Sequence, residues 1–195
     1  MSNTKTLIIE SPKHGTFEVL YDAEDEDKIN KHTWGICKDL WNVYVRTSIP
    51  HPSGEWYIRP GGKRQRRQTS LHLHRLIMNT PKGMQTDHIN GDPLDNRKEN
   101  LRICTVAENA WNRGASKNNK SGFKGVKRCG GSWYEGTIKW MASINFEGKR
   151  MHLGVYDIPE EAARAYDAKA IELHGEFAQT NFPIEDYANI ALQLL

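Results

Sequence analysis

At 195 residues, 37% hydrophobic and with a net charge of +3, the chain can form one domain or two small ones, and its charge excludes nothing until it is divided by segment. No stretch approaches the apolar run that a bilayer span needs, and Met1-Ser2-Asn3-Thr4-Lys5 is not followed by a signal-peptide core; the expectation is a soluble cytoplasmic protein. Cys37, Cys104 and Cys129 lie far apart and never as C-x-x-C, so they read as buried thiols rather than a disulfide framework or a zinc site.

In chain order, Leu7–Glu10, Thr16–Leu20 and Trp41–Thr47 are rich in β-branched or aromatic residues between Gly, Pro and Asp/Asn turns, and read as short strands. Residues 24–32, within an acidic cluster, read as a short helix. Pro50 to Gln68 reads as a hairpin tip or loop, and its 59–67 segment holds Arg59, Lys63, Arg64, Arg66 and Arg67 with no acid. Leu71–Met78 is apolar with His72, His74 and Arg75 interleaved. Met84–Ile89 reads as a strand ending in the Asn90-Gly91 turn, and a polar loop follows. Thr105-Val106-Ala107-Glu108 matches a capping box, in which the Thr hydroxyl and Glu carboxylate satisfy free amides at a helix start.

Residues 114–121 have a linker's composition, and the domain boundary is placed there. Beyond it, Phe123–Arg128, Trp140–Phe146 and Arg150–Tyr156 read as three strands, with Glu147-Gly148 as a tight turn. A helix then starts at Pro159-Glu160-Glu161 and ends at Gly175, with Ala163, Tyr166, Ala170 and Leu173 on one face. From Trp111 to Met151 nine Lys/Arg face only Glu135 and Glu147, whereas residues 157–195 hold eight acids against Arg164 and Lys169. A basic sheet backed by an acidic helix suits a polyanion on the sheet side.

Chemistry concentrates in Thr86-Asp87-His88-Ile89-Asn90-Gly91-Asp92, continued by Asp95-Asn96-Arg97-Lys98-Glu99-Asn100-Leu101-Arg102 and Ala107-Glu108-Asn109. Asp87 offers a hard oxygen ligand, and His88 beside it a base whose ordinary pKa of about 6.5 suits deprotonating water. Each residue alone is ordinary, and it is their joint spacing, with the capping box, that is informative. Residues 71–113 resemble the HNH, or ββα-metal, nucleases, in particular the phage and intron-encoded homing endonucleases whose last motif position is Asn. Asn100 lies twelve residues after His88 and Asn109 nine after Asn100. The resemblance implies Asp87 and Asn109 as ligands of one divalent metal ion, Mg²⁺ or Mn²⁺, with His88 as general base. It implies that Asn100 ties the loop to the strand and orients the base. It does not support the zinc-stabilised branch.

Residues 122–183 resemble the AP2/ERF DNA-binding domain collinearly, through Phe123-Lys124-Gly125-Val126-Lys127, Trp140-Met141-Ala142-Ser143-Ile144, Gly148 to Asp157, Glu160 to Asp167, and His174-Gly175-Glu176-Phe177-Ala178 on to Pro183. That family lays a three-stranded sheet in the major groove. By position the resemblance implies Lys124, Lys127, Arg128, Trp140, Lys149 and Arg150 as DNA contacts, with Trp133 competing for the Trp140 position and Tyr166 in the core.

The expected architecture is α+β: an N-terminal β-rich region (1–70), a ββα-metal HNH motif (71–113), a linker (114–121), an AP2-like three-stranded antiparallel sheet packed on one helix (122–183) and a tail (184–195). The expected function is metal-dependent endonucleolytic cleavage of double-stranded DNA, with nicking by a homing endonuclease, no membrane and no obligatory protein partner. A non-catalytic AP2-type regulator is the alternative, and an RNA-binding module a third class.

Overall fold

The structure is a computed structural model that describes residues 3–38, 43–129 and 138–187. Trp41 and Trp133 lie outside the described residues, as does the tail beyond Tyr187. The chain divides into two compact units, Met1–Val106 and Ala107–Leu195. Strands dominate, and no helix among the described residues is long and apolar enough to cross a membrane.

In the first unit, β1 (Thr4–Ser11) and β2 (Gly15–Asp22) form an antiparallel hairpin, followed by the one-turn helix α1 (Glu26–Ile29). A second sheet has the order β3 (Gly35–Lys38), β4 (Val43–Pro50), β7 (Gln68–His72), and the ribbon of β5 (Trp56–Ile58) and β6 (Arg64–Arg66) rises from the β4–β7 connection. The short helix α2 (Leu73–Ile77) leads to β8 (Gln85–His88), which pairs antiparallel with β9 (Leu101–Cys104). Alternate apolar residues of these elements meet in one core: Ile9, Val19, Tyr21, Ile29, Val45, Leu73, Ile77 and Leu101 are all buried there. Each such side chain contributes about 1.5–3 kcal/mol by leaving water. The N-terminal strands thus share a core with α2 and β9.

Two elements depart from expectation. The segment following the polar loop is the strand β9, which the residue pattern did not mark although the ββα-metal resemblance implies a second strand; and Leu73–Ile77 is helical although His72 to Met78 shows no capping signal. Cys37, Cys104 and Cys129 form no disulfide, with Cys104 buried and Cys37 and Cys129 half-buried.

The helix α3 (Val106–Trp111) follows Thr105 directly, and the second unit then builds an antiparallel sheet from β10 (Val126–Cys129), β11 (Lys139–Phe146) and β12 (Lys149–Tyr156), covered by α4 (Pro159–His174). The expected AP2-like arrangement of three antiparallel strands and one helix is present. Glu147 and Gly148 both take positive φ (49° and 74°), the geometry of the two-residue turn that matches strand twist. Ala162 and Ala163 of α4 pack on Val126 and Ala142, and Tyr166 and Ala170 on Ile144, small residues that let the helix lie close to the sheet. Buried Asp167 accepts hydrogen bonds from the amides of Asn181 and Phe182 and from the Tyr187 hydroxyl, tying the C-terminal segment to α4.

Gly125 is the tightest point of this unit. Its φ is +77°, and a Cβ built there would stand 1.9 Å from the Tyr166 ring. Gly125→Ala should therefore destabilise the chain by at least about 2 kcal/mol, through overpacking and left-handed strain together. Chemical denaturation checks it; an unchanged midpoint would mean that Tyr166 does not hold this position.

Candidate functional site

The chemistry-bearing segment is the β8–β9 hairpin and its loop. Asp87 and Arg102 are direct cross-strand partners, and the Arg102 guanidinium donates from Nε and Nη2 to Oδ2 of Asp87 at 3.0 and 2.9 Å. Asp87 is buried, so this pair fixes the carboxylate's orientation, and both bonds fall on one oxygen. A carboxylate anchored through Oδ2 is a hard-oxygen donor whose Oδ1 those two bonds leave available, which fits a divalent ion of the Mg²⁺ type. Among the described residues no group of three or more His, Cys, Asp or Glu is arranged to hold a metal.

His88, the next residue, points the other way from the strand and meets a different environment. Its Nε2 lies 3.4 Å from Oδ1 of Asn96, which is fully buried, and Asn96 Nδ2 donates to the Pro93 carbonyl at 3.1 Å. That second bond sets the amide so that its oxygen faces the imidazole. A proton on Nε2 would satisfy that oxygen. Burial pushes the His88 pKa down, and Asn96 and the carboxylates of Asp87, Asp92 and Asp95 push it partly back. The neutral, basic form therefore persists below the usual histidine range.

Asn100 holds the loop together. Its amide donates to Oδ1 of Asn90 (3.0 Å) and to the Asp95 carbonyl (2.9 Å), while its Oδ1 accepts from the Asn90 amide (3.0 Å). Its own carbonyl accepts from the Ile89 amide at 2.8 Å. Arg97 clamps Asp95 from the same loop at 2.7 and 2.8 Å. The loop is also gripped from outside: the Leu20 amide donates to the Leu94 carbonyl and the Asn96 amide to the Leu20 carbonyl, both at 2.8 Å, while Oδ2 of Asp22 accepts from the Lys98 amide. Strand β2 thus supports the loop that carries Asn96, a task that sequence reasoning left unassigned to residues 1–70.

His74 packs its ring edge-on to His88 at 5.1 Å and stacks on His72 at 5.5 Å. Burial drives its pKa down to about 3, with His88, His72 and Arg75 adding to the effect.

Asn109 lies on α3, and belongs to the second unit, as do all six residues expected to contact DNA. Two residues further on, Trp111 stacks on His174 at 4.4 Å and 7° between planes, and also on Phe146 at 5.6 Å. Lys124 donates to the Trp111 carbonyl and lies 5.9 Å from the centre of the Tyr166 ring. Burial lowers the Lys124 pKa to about 8 and that of His174 to about 4, so the stacked imidazole is neutral. In this position Lys124 is occupied inside the unit rather than presented on its surface.

The strand register sorts the remaining candidates. Cross-strand partners share a face, and Val126 with Ala142 face α4. Arg128 pairs with Trp140 on that covered side, where Trp140 packs against the core, and Lys149 pairs with Phe146 there too. Lys127, paired with Met141, and Arg150, paired with Asn145, stand on the open face. Ser143 follows Met141 on that face by simple alternation, and its Oγ accepts from Arg150 at 2.9 Å; a bulge at Leu153 on β12, where Ala142 pairs with Gly154 and Ser143 with His152, brings His152 and Arg150 to the same face. Ser143, Asn145 and His152 join the open face; strand alternation finds Ser143 and Asn145, whereas the bulge on β12 hides His152.

The HNH endonuclease family matches residues 72–111, the span from the end of β7 through α3. Protein 3.8 of Escherichia phage T7 is 38% identical over 99 residues, 51% of this chain and 77% of the phage protein. The chain belongs to the HNH endonuclease family. An uncharacterized HNH endonuclease, L560, of Acanthamoeba polyphaga mimivirus is 32% identical over 117 residues, covering 57% of each chain. The ethylene-responsive transcription factor WRI1 of Arabidopsis thaliana is 34% identical over 173 residues, 82% of this HNH endonuclease but only 37% of the plant protein. HNH endonucleases depend in general on a divalent metal, and the HNH and AP2-like similarities together imply DNA binding.

The histidine cluster sets the response of this HNH endonuclease to acid. A folded pKa below the unfolded one means that the unfolded chain binds the extra proton, so stability present above pH 6.5 is lost as pH falls toward the folded value. His74 alone should cost about 1.4 kcal/mol per pH unit between about 6.5 and 3. Thermal denaturation from pH 7.5 to 5 should show that decline, and His74→Gln should flatten it; a variant with the wild-type slope would remove His74 as the cause.

Proposed function

We propose that this HNH endonuclease hydrolyses phosphodiester bonds in double-stranded DNA with His88 as general base, nicking one strand as a homing endonuclease does. The observation that carries the reading is the pair of adjacent, oppositely fixed side chains on β8: the Asp87 carboxylate held by Arg102 and the His88 ring held through Nε2 by Asn96. The His88 imidazole takes a proton from water, the water oxygen attacks phosphorus in line, and the bond to the 3′ oxygen breaks, that oxygen taking a proton from solvent. The ends are a 5′-phosphate and a 3′-hydroxyl. Asp87 and, by the family resemblance, Asn109 would hold the divalent ion, which supplies charge stabilisation at the phosphate and the departing oxygen. An all-oxygen donor set of this kind suits Mg²⁺ or Mn²⁺.

Asn100 acts here as a positioning residue: it keeps the loop in the shape that delivers Asn96 to His88. Lys127 and Arg150 on the open face of the sheet are the side chains best presented to phosphates, with Arg128, Lys149 and Trp140 at the covered side contributing framework. The phage origin of one relative supports action in a phage-infected bacterial cell.

Supercoiled plasmid and genomic DNA incubated with and without Mg²⁺ test the reading. A general base contributes about 10²–10⁴-fold, so His88→Ala should lose at least 100-fold in cleavage while duplex affinity stays at the wild-type level. Asp87→Ala should abolish cleavage and weaken metal binding. The acid limb of the wild-type rate profile should fall below pH 6.5, because His88 stays neutral there. Cleavage that survives EDTA, or a His88→Ala loss under tenfold, would overturn the assignment.

A further inference from the structure

The β4–β7 ladder does not end at the Pro50–Gln68 pair. The His51 amide donates to the Arg67 carbonyl and the Arg67 amide to the Glu55 carbonyl, both at 2.8 Å; the pairs Trp56–Arg66, Tyr57–Gln65 and Ile58–Arg64 follow. The Arg59 amide to the Lys63 carbonyl closes the ribbon at 3.0 Å, and Gly61 and Gly62 turn it at φ +101° and +80°. None of residues 51–70 is buried, so no core explains why this arm exists.

Its side chains sort by face. Cross-strand partners share a side, which puts Trp56, Ile58, Arg64 and Arg66 together on one face without an acid. The Arg64 guanidinium lies 4.9 Å from the Trp56 ring centre. The other face carries the ribbon's single acid, Glu55, already neutralised by Arg67 at 2.7 Å, beside Tyr57, Arg59 and Lys63. Trp56, Tyr57 and Ile58 are 54%, 43% and 71% exposed, three successive large apolar side chains held in solvent among five bases. A surface like that costs solubility and carries self-repelling charge unless a polyanion covers it.

We propose that the β5–β6 ribbon is a second duplex-DNA contact of this protein, distinct from the AP2-like sheet, with its acid-free face laid against the wall of the major groove. This rests on the DNA-cleaving reading above. The major groove, about 12 Å wide and 8.5 Å deep, admits a two-stranded ribbon. At ~3.3 Å per residue, Glu55 to Pro60 reaches about 17 Å, enough to enter it. Arg64 and Arg66 engage phosphates, and Trp56 and Ile58 give apolar contact to sugars and thymine methyls. Two alternatives fit less well. A single-stranded nucleic acid would want an open ring to stack on, and Arg64 covers Trp56; a second copy of the ribbon would bring like charges together.

The test uses the full-length chain in EDTA, binding a duplex over a range of salt, with hydroxyl-radical footprinting. R64Q/R66Q changes only exposed side chains. It should lower duplex affinity at least tenfold and make the log–log salt slope shallower by about 1.8, two phosphates at roughly 0.9 each, with one patch of the footprint lost. K127Q/R150Q, on the AP2-like sheet, should lose a different patch. Wild-type slope, affinity and footprint in R64Q/R66Q, alongside weakened K127Q/R150Q, would overturn the ribbon contact and leave the nuclease reading standing. A wild-type chain that neither binds nor cuts duplex would overturn both. Stronger competition by single-stranded RNA than by duplex DNA, or a wild-type dimer that R64Q/R66Q dissolves in sedimentation, would also overturn the proposal.

Discussion

The loop between β8 and β9 has almost no apolar interior of its own, and the carboxamide of Asn100 takes the place of one. One side chain, using both its donor and acceptor atoms, closes the start of the loop onto its end, and Asn90 and Asp95 both depend on it. A buried amide left half-satisfied would cost about 1–3 kcal/mol, so the bonds form as a set or the loop opens as a set. The orientation of Asn96, and through it that of the His88 ring, is downstream of that closure. The geometry of the base is thus a property of a hydrogen-bond lattice more than of packing.

Charge is organised differently in the two units. In the first, the acids near the loop are spent on structure: Asp95 on Arg97, and Asp22, Glu24 and Asp25 on Lys98. In the second, the bases stand on the sheet while the exposed acids of α4 lie on the far side, so the field across the module has a direction. A polyanion approaching it is drawn to the face with Lys127 and Arg150 and turned from the helix.

Much of this was legible in the residues. Asp87, His88, Asn100 and Asn109 stood out because their spacing carries a family resemblance, and the β11–β12 hairpin because Glu147-Gly148 marks its turn. What stayed hidden depends on long-range pairing. Leu101-Arg102-Ile103-Cys104 is too short to announce a strand after a polar loop, and its role as the partner of β8 makes Arg102 the clamp on Asp87. Asn96 reads as a loop residue until Pro93 fixes its amide. Lys124 and Trp140 match contact positions of the AP2 family, yet one, lying ahead of β10, donates to the Trp111 carbonyl, and the other packs on the core because its register puts it on the side of Ala142.

The stack of Trp111 on His174 has a consequence for how such proteins can be recombined. The segment shared with HNH endonucleases runs to residue 111, yet its last ring is a packing residue of the module that follows. A crossover placed in the polar stretch 114–121 would graft the nuclease motif onto a foreign partner with an indole and nothing to lay it on. A productive nuclease chimera therefore keeps the motif through Trp111, Asn109 included, together with the sheet and helix that receive that ring.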